Sequence, residues 1–385
     1  MQSKFKVLLL VLTMAVVMIV AACGQNDGNN NAASAPNNSS QQEGQAEGAQ
    51  EQGDAQVEEA VELSGELVVY SSRNEAFVQT LLDKFQNETG VSVVALHGAN
   101  PLKIEEEANN VQADIFISND LGALGYLDQK GLLQGGNYKG IDTIPTEFRS
   151  EDNSYFALSV RARGFIYNKD LITLEEMPTK SEDLFDAKWA DVPGGYAITR
   201  GGNGGMIGHV SALRYEWGDE KTSEWVSAIR EHAAGIYQGN GEIRRAVGAG
   251  EHTFGLLNNY YYHQQLLEEN NNNVGFIYLD QGEGEMGVIA NAAGVGLVKG
   301  NPNEQNAAAF IEWLLLPENQ VLFVGESLEL LINAEYGAVY PPEVAPNVTP
   351  FSELKVQDMP IKELGNYFED TRALIEAAGL AFELR

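Results

Sequence analysis

Three consecutive tyrosines, Tyr260, Tyr261 and Tyr262, have the residue type and spacing most suggestive of chemistry in this sequence. A phenol with a free pKa of about 10 becomes an anionic oxygen donor when a nearby cation removes its proton. Adjacent helical side chains diverge by about 100°. We therefore expect two of these rings to meet on one ion only if they lie in the turn before the following helix. The tyrosines alone leave two interpretations open, namely metal binding and an aromatic cluster that packs internally or stacks on an organic ligand.

A glycine-rich stretch, Gly201-Gly202-Asn203-Gly204-Gly205, precedes a predicted helix. Free backbone N–H groups at a helix N-terminus bind phosphate or carbonate, so Asn203 and Gly204 are candidate anion-binding residues. The stretch is not a Walker motif, because the Gly-Lys-Ser/Thr sequence is missing. A plain flexible turn is the alternative.

Further polar candidates lie in or after predicted strands. Alternation along a strand is expected to point only one of Arg161 and Arg163 toward the ligand. We expect Arg161 to be the anion partner, with an ion pair that ties two lobes of the protein together as the alternative. Ser71 and Ser72 are candidate hydrogen-bond donors or turn residues, and Asn258 is a candidate ligand-binding residue.

Few features of the sequence favour an enzyme. The five histidines show neither HExxH nor another paired spacing, and no Gly-x-Ser-x-Gly nucleophile elbow occurs. His263 lies beside the tyrosines and is expected to be a solvated helix residue. We therefore predict no catalytic residue and no catalytic cofactor.

Residues 1–22 have the pattern of a bacterial lipoprotein signal peptide. Lys4 and Lys6 precede an apolar run of 14 residues that ends at Val20. That run is shorter than the roughly 20 residues that cross a bilayer and is typical of a secretory signal. Small residues before Cys23, the only cysteine, resemble a lipobox. We expect Cys23 to carry the lipid, palmitate included, that anchors the chain on the extracytoplasmic face of the cell membrane.

Residues 23–64 are predicted to form a disordered acidic linker behind the lipidated cysteine. Residues 24–62 hold eight acids and no Lys, Arg or aromatic residue, a composition that cannot bury enough apolar surface to fold. The whole chain has 55 acids, 24 bases and a net charge of −31. This charge argues against nucleic acid as a partner, because phosphate contacts need Lys and Arg, and it suits attraction of a cation.

Strands and helices alternate from residue 65 onward. Strands are predicted at 67–70, 91–94 and 115–117, each followed by a helical pattern. This spacing predicts parallel strands joined by right-handed crossovers, with the ligand beyond their carboxyl ends. A second alternating unit follows, so we predict an α/β fold of two lobes with a ligand cleft between them.

Several stretches of this sequence recur in the same order in one known family. They include Val69-Tyr70-Ser71-Ser72-Arg73-Asn74-Glu75, Ala113-Asp114-Ile115-Phe116, Leu158-Ser159-Val160-Arg161-Ala162-Arg163, Leu257-Asn258-Asn259-Tyr260-Tyr261 and Pro317-Glu318-Asn319-Gln320. Over most of residues 65 to 380 the chain thus resembles the ferric-ion-binding proteins of ABC importers. The resemblance implies the two-lobed type II periplasmic-binding-protein fold, with hinge strands near 159–164 and 291–295. Lobe 1 would comprise residues 65–160 and 291–340, and lobe 2 residues 161–290 and 341–385.

The resemblance also implies that Tyr260 and Tyr261 bind Fe(III), a hard cation that prefers anionic oxygen. Many relatives supply further ligands at positions where this chain has Asn74, Glu75 and Asn119. Glu75 and Asp120 are therefore candidate carboxylate ligands. Two tyrosines cannot fill six coordination sites, so carbonate, phosphate, citrate or water is expected to complete the shell.

These expectations describe the substrate-binding component of an ABC importer. We expect a monomer that closes by hinge motion on Fe(III) and delivers it to a permease and its ATPase. The same fold could instead bind an organic phosphonate, a phosphosugar or another small anion. A surface enzyme or adhesion module is the competing class.

Overall fold

The structure is a computed structural model that describes residues 63–383. The predicted signal peptide, Cys23 and nearly all of the predicted linker lie outside the described residues. The proposed lobe boundaries stay a prediction.

Nine strands and ten α-helices occur between residues 63 and 383, joined by short 3₁₀ turns. The strands are β1 (Glu66–Ser71), β2 (Ser92–His97), β3 (Ile115–Ser118), β4 (Tyr155–Asn168), β5 (Tyr196–Thr199), β6 (Gly235–Tyr237), β7 (Phe254–Asn258), β8 (Val274–Tyr278) and β9 (Ala290–Leu297). The helices are α1 (Gln79–Thr89), α2 (Pro101–Glu106), α3 (Leu121–Gln129), α4 (Gly204–Trp217), α5 (Asp219–His232), α6 (Asn240–Gly248), α7 (Asn259–Leu266), α8 (Glu304–Leu314), α9 (Pro317–Ser327) and α10 (Phe368–Ala377).

The strands form one sheet in the order β2-β1-β3-β9-β4-β7-β5-β6, and β8 also pairs with β4. As the alternating pattern predicted, β1 runs parallel to both β2 and β3. In the same way β5 runs parallel to β6 and β7. Strand β9 enters antiparallel between β3 and β4. A strand from late in the chain therefore completes the first part of the sheet.

The long strand β4 joins the two parts of the sheet. Its residues 155–162 pair with β9, whereas residues 163–168 pair with β7 on one side and β8 on the other. All 14 residues are buried. The first expected hinge strand, near residues 159–164, therefore lies where β4 passes from one part of the sheet to the other.

The helices cover the sheet through apolar side chains at helical spacing. In α1, for example, Leu81, Leu82 and Phe85 are buried, and Gly90 ends the helix at φ 76°, a conformation that glycine adopts without strain. The Phe85 ring meets the Phe310 ring of α8 edge to face at 4.9 Å. Among the described helices, none by itself is long and apolar enough to cross a membrane. Helices α8 and α9 meet that criterion only as a pair bent by 79°.

Three helices begin shortly after strands whose carboxyl ends point toward the junction between the two parts of the sheet. Asp120 caps α3 after β3, Asn203 caps α4 after β5, and α7 follows β7 without a gap. Each N-terminus leaves backbone N–H groups without intrahelical partners. The fold thus directs three sets of donors to the region where these carboxyl ends face each other, which is where a ligand is expected.

Candidate metal and anion site

A cavity of about 210 Å³ lies where α3, α4 and α7 begin. Most of its lining residues are polar, and they come from loops after β3 and β5, from β4, and from the beginnings of α4, α6, α7 and β9. The lining residues are Asn119, Asp120, Arg161, Arg163, Asn203, Gly204, Gly205, Gly208, His209, Asn240, Asn258, Tyr260, Tyr261, Ile289, Ala290 and Asn291.

Tyr260 and Tyr261 both line the cavity, and their ring centroids are 4.3 Å apart with planes inclined by 32°. The expectation that the pair precedes the helix is wrong, because α7 begins at Asn259. In the first turn of the helix the two adjacent rings still lie side by side. Tyr262 lies elsewhere, stacked on Phe276 in a separate apolar cluster. The tyrosine run thus divides into two cavity residues and one core residue.

The phenol of Tyr260 is held in its protonated form. Burial raises the pKa of Tyr260 well above its ordinary value, and nearby Tyr261 raises it further, while Arg161 acts in the opposite sense. Phe77 covers the ring of Tyr260 edge-on at 6.5 Å. A cation that binds this oxygen must therefore displace its proton.

Arg161 is tied to a buried acid. Its Nη1 lies 3.1 Å from Oε1 of Glu329, and Nη2 of Arg73 lies 3.0 Å from Oε2 of the same carboxylate. Burial alone would raise the pKa of Glu329, but Arg73 and Arg161 hold it below its ordinary value. Arg161 therefore makes an ion pair and also lines the cavity, while the prediction that this pair ties two lobes together stays a prediction.

Arg163 also lines the cavity, so the expectation that only one arginine would do so is wrong. Side chains two positions apart on a strand lie on the same face. Arg163 has no acidic partner among the described residues, and its Nη1 makes only long hydrogen bonds of 3.4 Å to Asn240 and Asn258. Its Nε and Nη2 are buried without a partner within residues 63–383. Burial lowers the pKa of Arg163 to about 10, so the guanidinium keeps its charge at neutral pH.

The N-terminus of α4 forms part of the same wall. The Asn203 side chain accepts a hydrogen bond of 3.0 Å from the Gly205 N–H and caps the helix. The Gly204 N–H has no acceptor among the described residues, and the space beside its Cα is open. As expected, Asn203 and Gly204 lie at the cavity. Gly201 and Gly202 are not among the lining residues.

His209 is a cavity residue that the sequence analysis did not identify. It lies four positions after Gly205, on the same face of α4, and its ring stacks on Trp225 at 5.2 Å. Neither ring nitrogen has a partner within residues 63–383. Burial, followed by the charge of Arg163, lowers the pKa of His209 well below its ordinary value. The ring is therefore neutral, with one donor and one acceptor available.

The two candidate carboxylate ligands have different positions. Asp120 lines the cavity, but its Oδ1 accepts from the Gly122 N–H at 2.7 Å and its Oδ2 accepts from Asn291 at 2.8 Å. Glu75 is exposed at the start of a 3₁₀ turn and is not a lining residue. The structure therefore brings Asp120, and not Glu75, to the tyrosines.

Of the remaining candidate ligand-binding residues, one lines the cavity and two do not. Asn258 lines the cavity, whereas Ser71 and Ser72 do not. The Ser71 hydroxyl accepts from the Arg73 N–H and the Ser72 hydroxyl from the Asn119 N–H, so both stabilise turns. His263 is fully buried and bonds through Nδ1 to the Leu328 carbonyl, so the expectation of a solvated residue is wrong.

The cavity therefore has a phenolic wall and a wall of hydrogen-bond donors. The donor wall contains Arg163, Gly204, His209 and Asn240, and Asp120 is the only acid in the lining. Within residues 63–383, no group of three or more His, Cys, Asp or Glu could hold a metal by itself. Two phenols beside an anion-binding wall suit a hard cation that brings its own anion.

Comparison with known proteins extends these observations. The family profile described as bacterial extracellular solute-binding protein matches residues 80–344. Iron uptake protein A1 of Synechocystis is 31% identical over 82% of this chain and 87% of its own length. A Trichodesmium protein (IdiA, FutA) solved with iron and citrate is 27% identical, with a TM-score of 0.71 over 82% of this chain and all of its own. A more distant relative, named a putative 2-aminoethylphosphonate-binding periplasmic protein of Salmonella typhi, is 24% identical over 64% of this chain and 71% of its own length.

These similarities confirm the type II periplasmic-binding-protein fold and the resemblance to iron-binding proteins of ABC importers. The solved neighbours include the Trichodesmium protein over its full length, so the match extends across the described sheet and its helices. With the family profile covering more than half of the sequence, this chain belongs to the bacterial extracellular solute-binding proteins.

Proposed function

We propose that this protein is the substrate-binding component of an iron importer and that it binds Fe(III) together with an exogenous anion. The observation that carries the proposal is the pair of rings of Tyr260 and Tyr261, 4.3 Å apart on one wall of the cavity. Phenolate oxygens are suitable donors for a hard trivalent cation, which supplies the charge that drives off their protons.

The anion is proposed to bind at the donor wall of the same cavity. Arg163 has a buried charge without an acidic partner in the described chain, and the Gly204 N–H is a free hydrogen-bond donor at the start of α4. A helix N-terminus and a guanidinium both attract carboxylate or phosphate oxygens. Carbonate, phosphate and citrate are the candidates, and Asp120 is the one carboxylate positioned to add to the shell. Arg163 replaces Arg161 as the proposed anion partner, because Arg161 is paired with Glu329.

The proposal includes a partner and a location. As a member of the solute-binding family, the protein is proposed to act as a monomer that delivers its ligand to a permease and ATPase of an ABC importer. Cys23 would carry the lipid anchor at the extracytoplasmic face of the cell membrane. Cys23 and nearly all of the linker lie outside the described residues, and their proposed roles follow from the sequence pattern. We propose no catalytic activity.

Visible absorption tests the metal assignment. Addition of ferric citrate, or of ferric iron with carbonate, should produce a phenolate-to-iron charge-transfer band. Tyr260→Phe and Tyr261→Phe should each lose the band and most of the affinity. Tyr262→Phe is the matched control, because Tyr262 belongs to the same run but packs in the core. If the unmodified protein shows no band with either iron source, the iron assignment is wrong.

A small anion without a metal is the second candidate. The donor wall is complete without the tyrosines, and it could bind an organic phosphonate or a phosphosugar. A thermal-shift screen with 2-aminoethylphosphonate and sugar phosphates tests this candidate. A shift with these compounds, combined with no iron band, would favour it over the iron assignment.

A further inference from the structure

The last described residues of the chain lie against the glycines that precede α4. The Gly201 N–H donates to the Ala381 carbonyl at 2.8 Å, and the Gly202 N–H donates to the Phe382 carbonyl at 3.1 Å. Nη1 of Arg200 adds a bond of 2.6 Å to the same Phe382 carbonyl. The C-terminal residues thus form hydrogen bonds, mainly through their backbone carbonyls, with residues 200–202, which lie immediately before the donor wall.

These contacts explain why both positions are glycine. A Cβ on Gly201 would lie 2.5 Å from Cγ2 of Ile375 and 3.0 Å from the Leu380 carbonyl oxygen. A Cβ on Gly202 would overlap the Phe382 carbonyl oxygen. Neither glycine lines the cavity. Their small size is therefore required by the C-terminal residues and not by the ligand.

Gly201 and Gly202 are followed directly by Asn203, the residue that caps α4. The Asn203 N–H bonds to the Arg200 carbonyl at 3.1 Å, and the Asn203 side chain accepts from the Gly205 N–H at 3.0 Å. Between them, the Gly204 N–H remains free at the cavity. The orientation of this donor thus depends on a turn whose first two residues are bonded to residues 381 and 382.

The C-terminal segment also contacts the N-terminus of α3, a second helix that begins at the cavity. Before α10, Gly365 packs so closely on Gly122 of α3 that a Cβ on Gly365 would lie 2.7 Å from the Gly122 carbonyl oxygen. Within α10, Thr371 receives hydrogen bonds from Ser211 and Arg214 of α4, at 2.9 and 3.0 Å. Residues 361–383 therefore run from the start of α3 to the start of α4.

We propose that the carbonyls of Ala381 and Phe382 are positioning groups for the anion subsite: they fix the Gly201–Gly202 turn so that the Gly204 N–H and Arg163 meet the anion together. This inference rests on the proposed function, because the anion is the one that completes the iron shell. The two carbonyls do not touch the ligand. They act through the turn, and their loss should weaken anion-dependent binding specifically.

A shortened chain that ends at Gly379 tests the inference. Iron affinity is measured with and without added citrate or phosphate. The full-length protein should bind iron more tightly when the anion is added. In the presence of the anion, the shortened chain should bind iron at least tenfold more weakly than the full-length protein, while it keeps the phenolate-to-iron band. A merely structural tail would lower both affinities by the same factor. Glu383→Gln is the control, since it removes the ion pair with Arg200 and leaves both carbonyls in place.

A point variant covers the case in which the shortened chain does not fold. Gly202→Ala keeps every residue but forces the turn away from the Phe382 carbonyl, and it should show the same selective loss. Gly325→Ala on α9 is the matched control, because its new Cβ meets its nearest neighbour at 3.6 Å. Unchanged anion dependence in Gly202→Ala, or in a folded shortened chain, would overturn the inference.

The two proposals fail in distinguishable ways. If the full-length protein shows no iron band, calorimetry with citrate or phosphate alone tests the positioning role without iron. In that case the missing band rejects the iron assignment. Anion binding to the full-length protein that is lost in Gly202→Ala would still support the positioning role. Absence of any anion binding would overturn the positioning role as well.

Discussion

Nη1 of Arg161 lies 3.1 Å from Oε1 of Glu329, and both side chains are buried. Glu329 also accepts from Arg73 and from the Ser159 hydroxyl. One carboxylate thus pairs with two buried arginines, Arg161 beside the cavity and Arg73 just after the first strand. In this cluster, Glu329 is the acidic partner of Arg161.

Glu329→Gln should destabilise the fold strongly. Removing the charge leaves Arg73 and Arg161 buried without an acid, and breaking a buried ion pair in this way costs about 3–5 kcal/mol. Chemical denaturation of the ligand-free protein measures the loss. Glu182→Gln, which breaks the exposed pair with Lys221, is the control and should cause a much smaller change. An equal, small effect in both variants would contradict the role of the cluster.

Arg163→Gln should separate binding from stability. The substitution removes a buried charge that has no acidic partner in the described chain, so the free energy of unfolding should be unchanged or higher. Iron affinity in the presence of citrate should fall at least tenfold, because a charge-assisted hydrogen bond to the anion is worth roughly 1.5–3 kcal/mol. Arg244→Gln, in α6 and outside the cavity lining, should leave the affinity unchanged. Full affinity in Arg163→Gln would exclude Arg163 as the anion partner.

His209→Phe should stabilise the ligand-free protein and weaken binding of the anion. Phenylalanine can keep the stacking on Trp225, and it removes two buried nitrogens that lack partners in the described chain. An unpaired buried polar group costs about 1–3 kcal/mol, so the melting temperature should rise. The control is His232→Phe, at the C-terminal end of α5 and outside the cavity lining. A lower melting temperature with unchanged affinity would assign His209 to the core alone.

Asp280→Asn should change the dependence of stability on pH. Burial raises the pKa of Asp280 to about 6, although the Ser181 N–H and hydroxyl donate to its carboxylate. Because the pKa in the folded state lies above its ordinary value, the favourable contribution of Asp280 is complete below about pH 4. That contribution declines as the pH rises to about 6. The variant should therefore be more stable than the parent at pH 7, by on the order of 1 kcal/mol, and should lose this advantage by pH 4.

Thermal unfolding of both proteins between pH 4 and 7 measures this difference. Asparagine is accepted at the left-handed backbone of position 280, where φ is 57°. Any effect of the backbone is independent of pH and does not obscure the trend. Exposed Asp191→Asn is the control and should follow the parent curve. A constant difference across the range would contradict the titration of Asp280.

Local patterns predicted the elements whose causes are local. Leu81, Leu82 and Phe85 at helical spacing before Gly90 predicted α1, and short apolar runs predicted β1 and β3. The position of β9 between β3 and β4 has no local signal, because it depends on pairing between distant residues. The full length of β4 was missed for a similar reason, since its two ends pair with different strands.

For the site as well, local sequence patterns predicted some residues, whereas the roles of others depend on contacts with distant residues. Tyr260, Tyr261, Asp120, Asn203, Gly204 and Asn258 were predicted, and the structure brings them to one cavity. Arg163 was passed over because Arg161 was preferred, and only the position of Glu329 shows which arginine is paired. For His209, the available signal was its spacing of four residues from Gly205. Gly201 and Gly202 belong to the glycine-rich stretch that was predicted to bind an anion, but they contact residues that come 180 positions later.

The place of β9 in the sheet has a consequence for newly made chains. A chain grows from its N-terminus, and until residues 290–297 exist, β3 and β4 each present an unpaired strand edge. Unpaired edges invite association with other chains. A ribosome stalled before residue 290 would therefore release an aggregation-prone product, whereas completed chains close both edges with one strand. Protection of nascent protein by a chaperone would matter most during synthesis of residues 155 to 297.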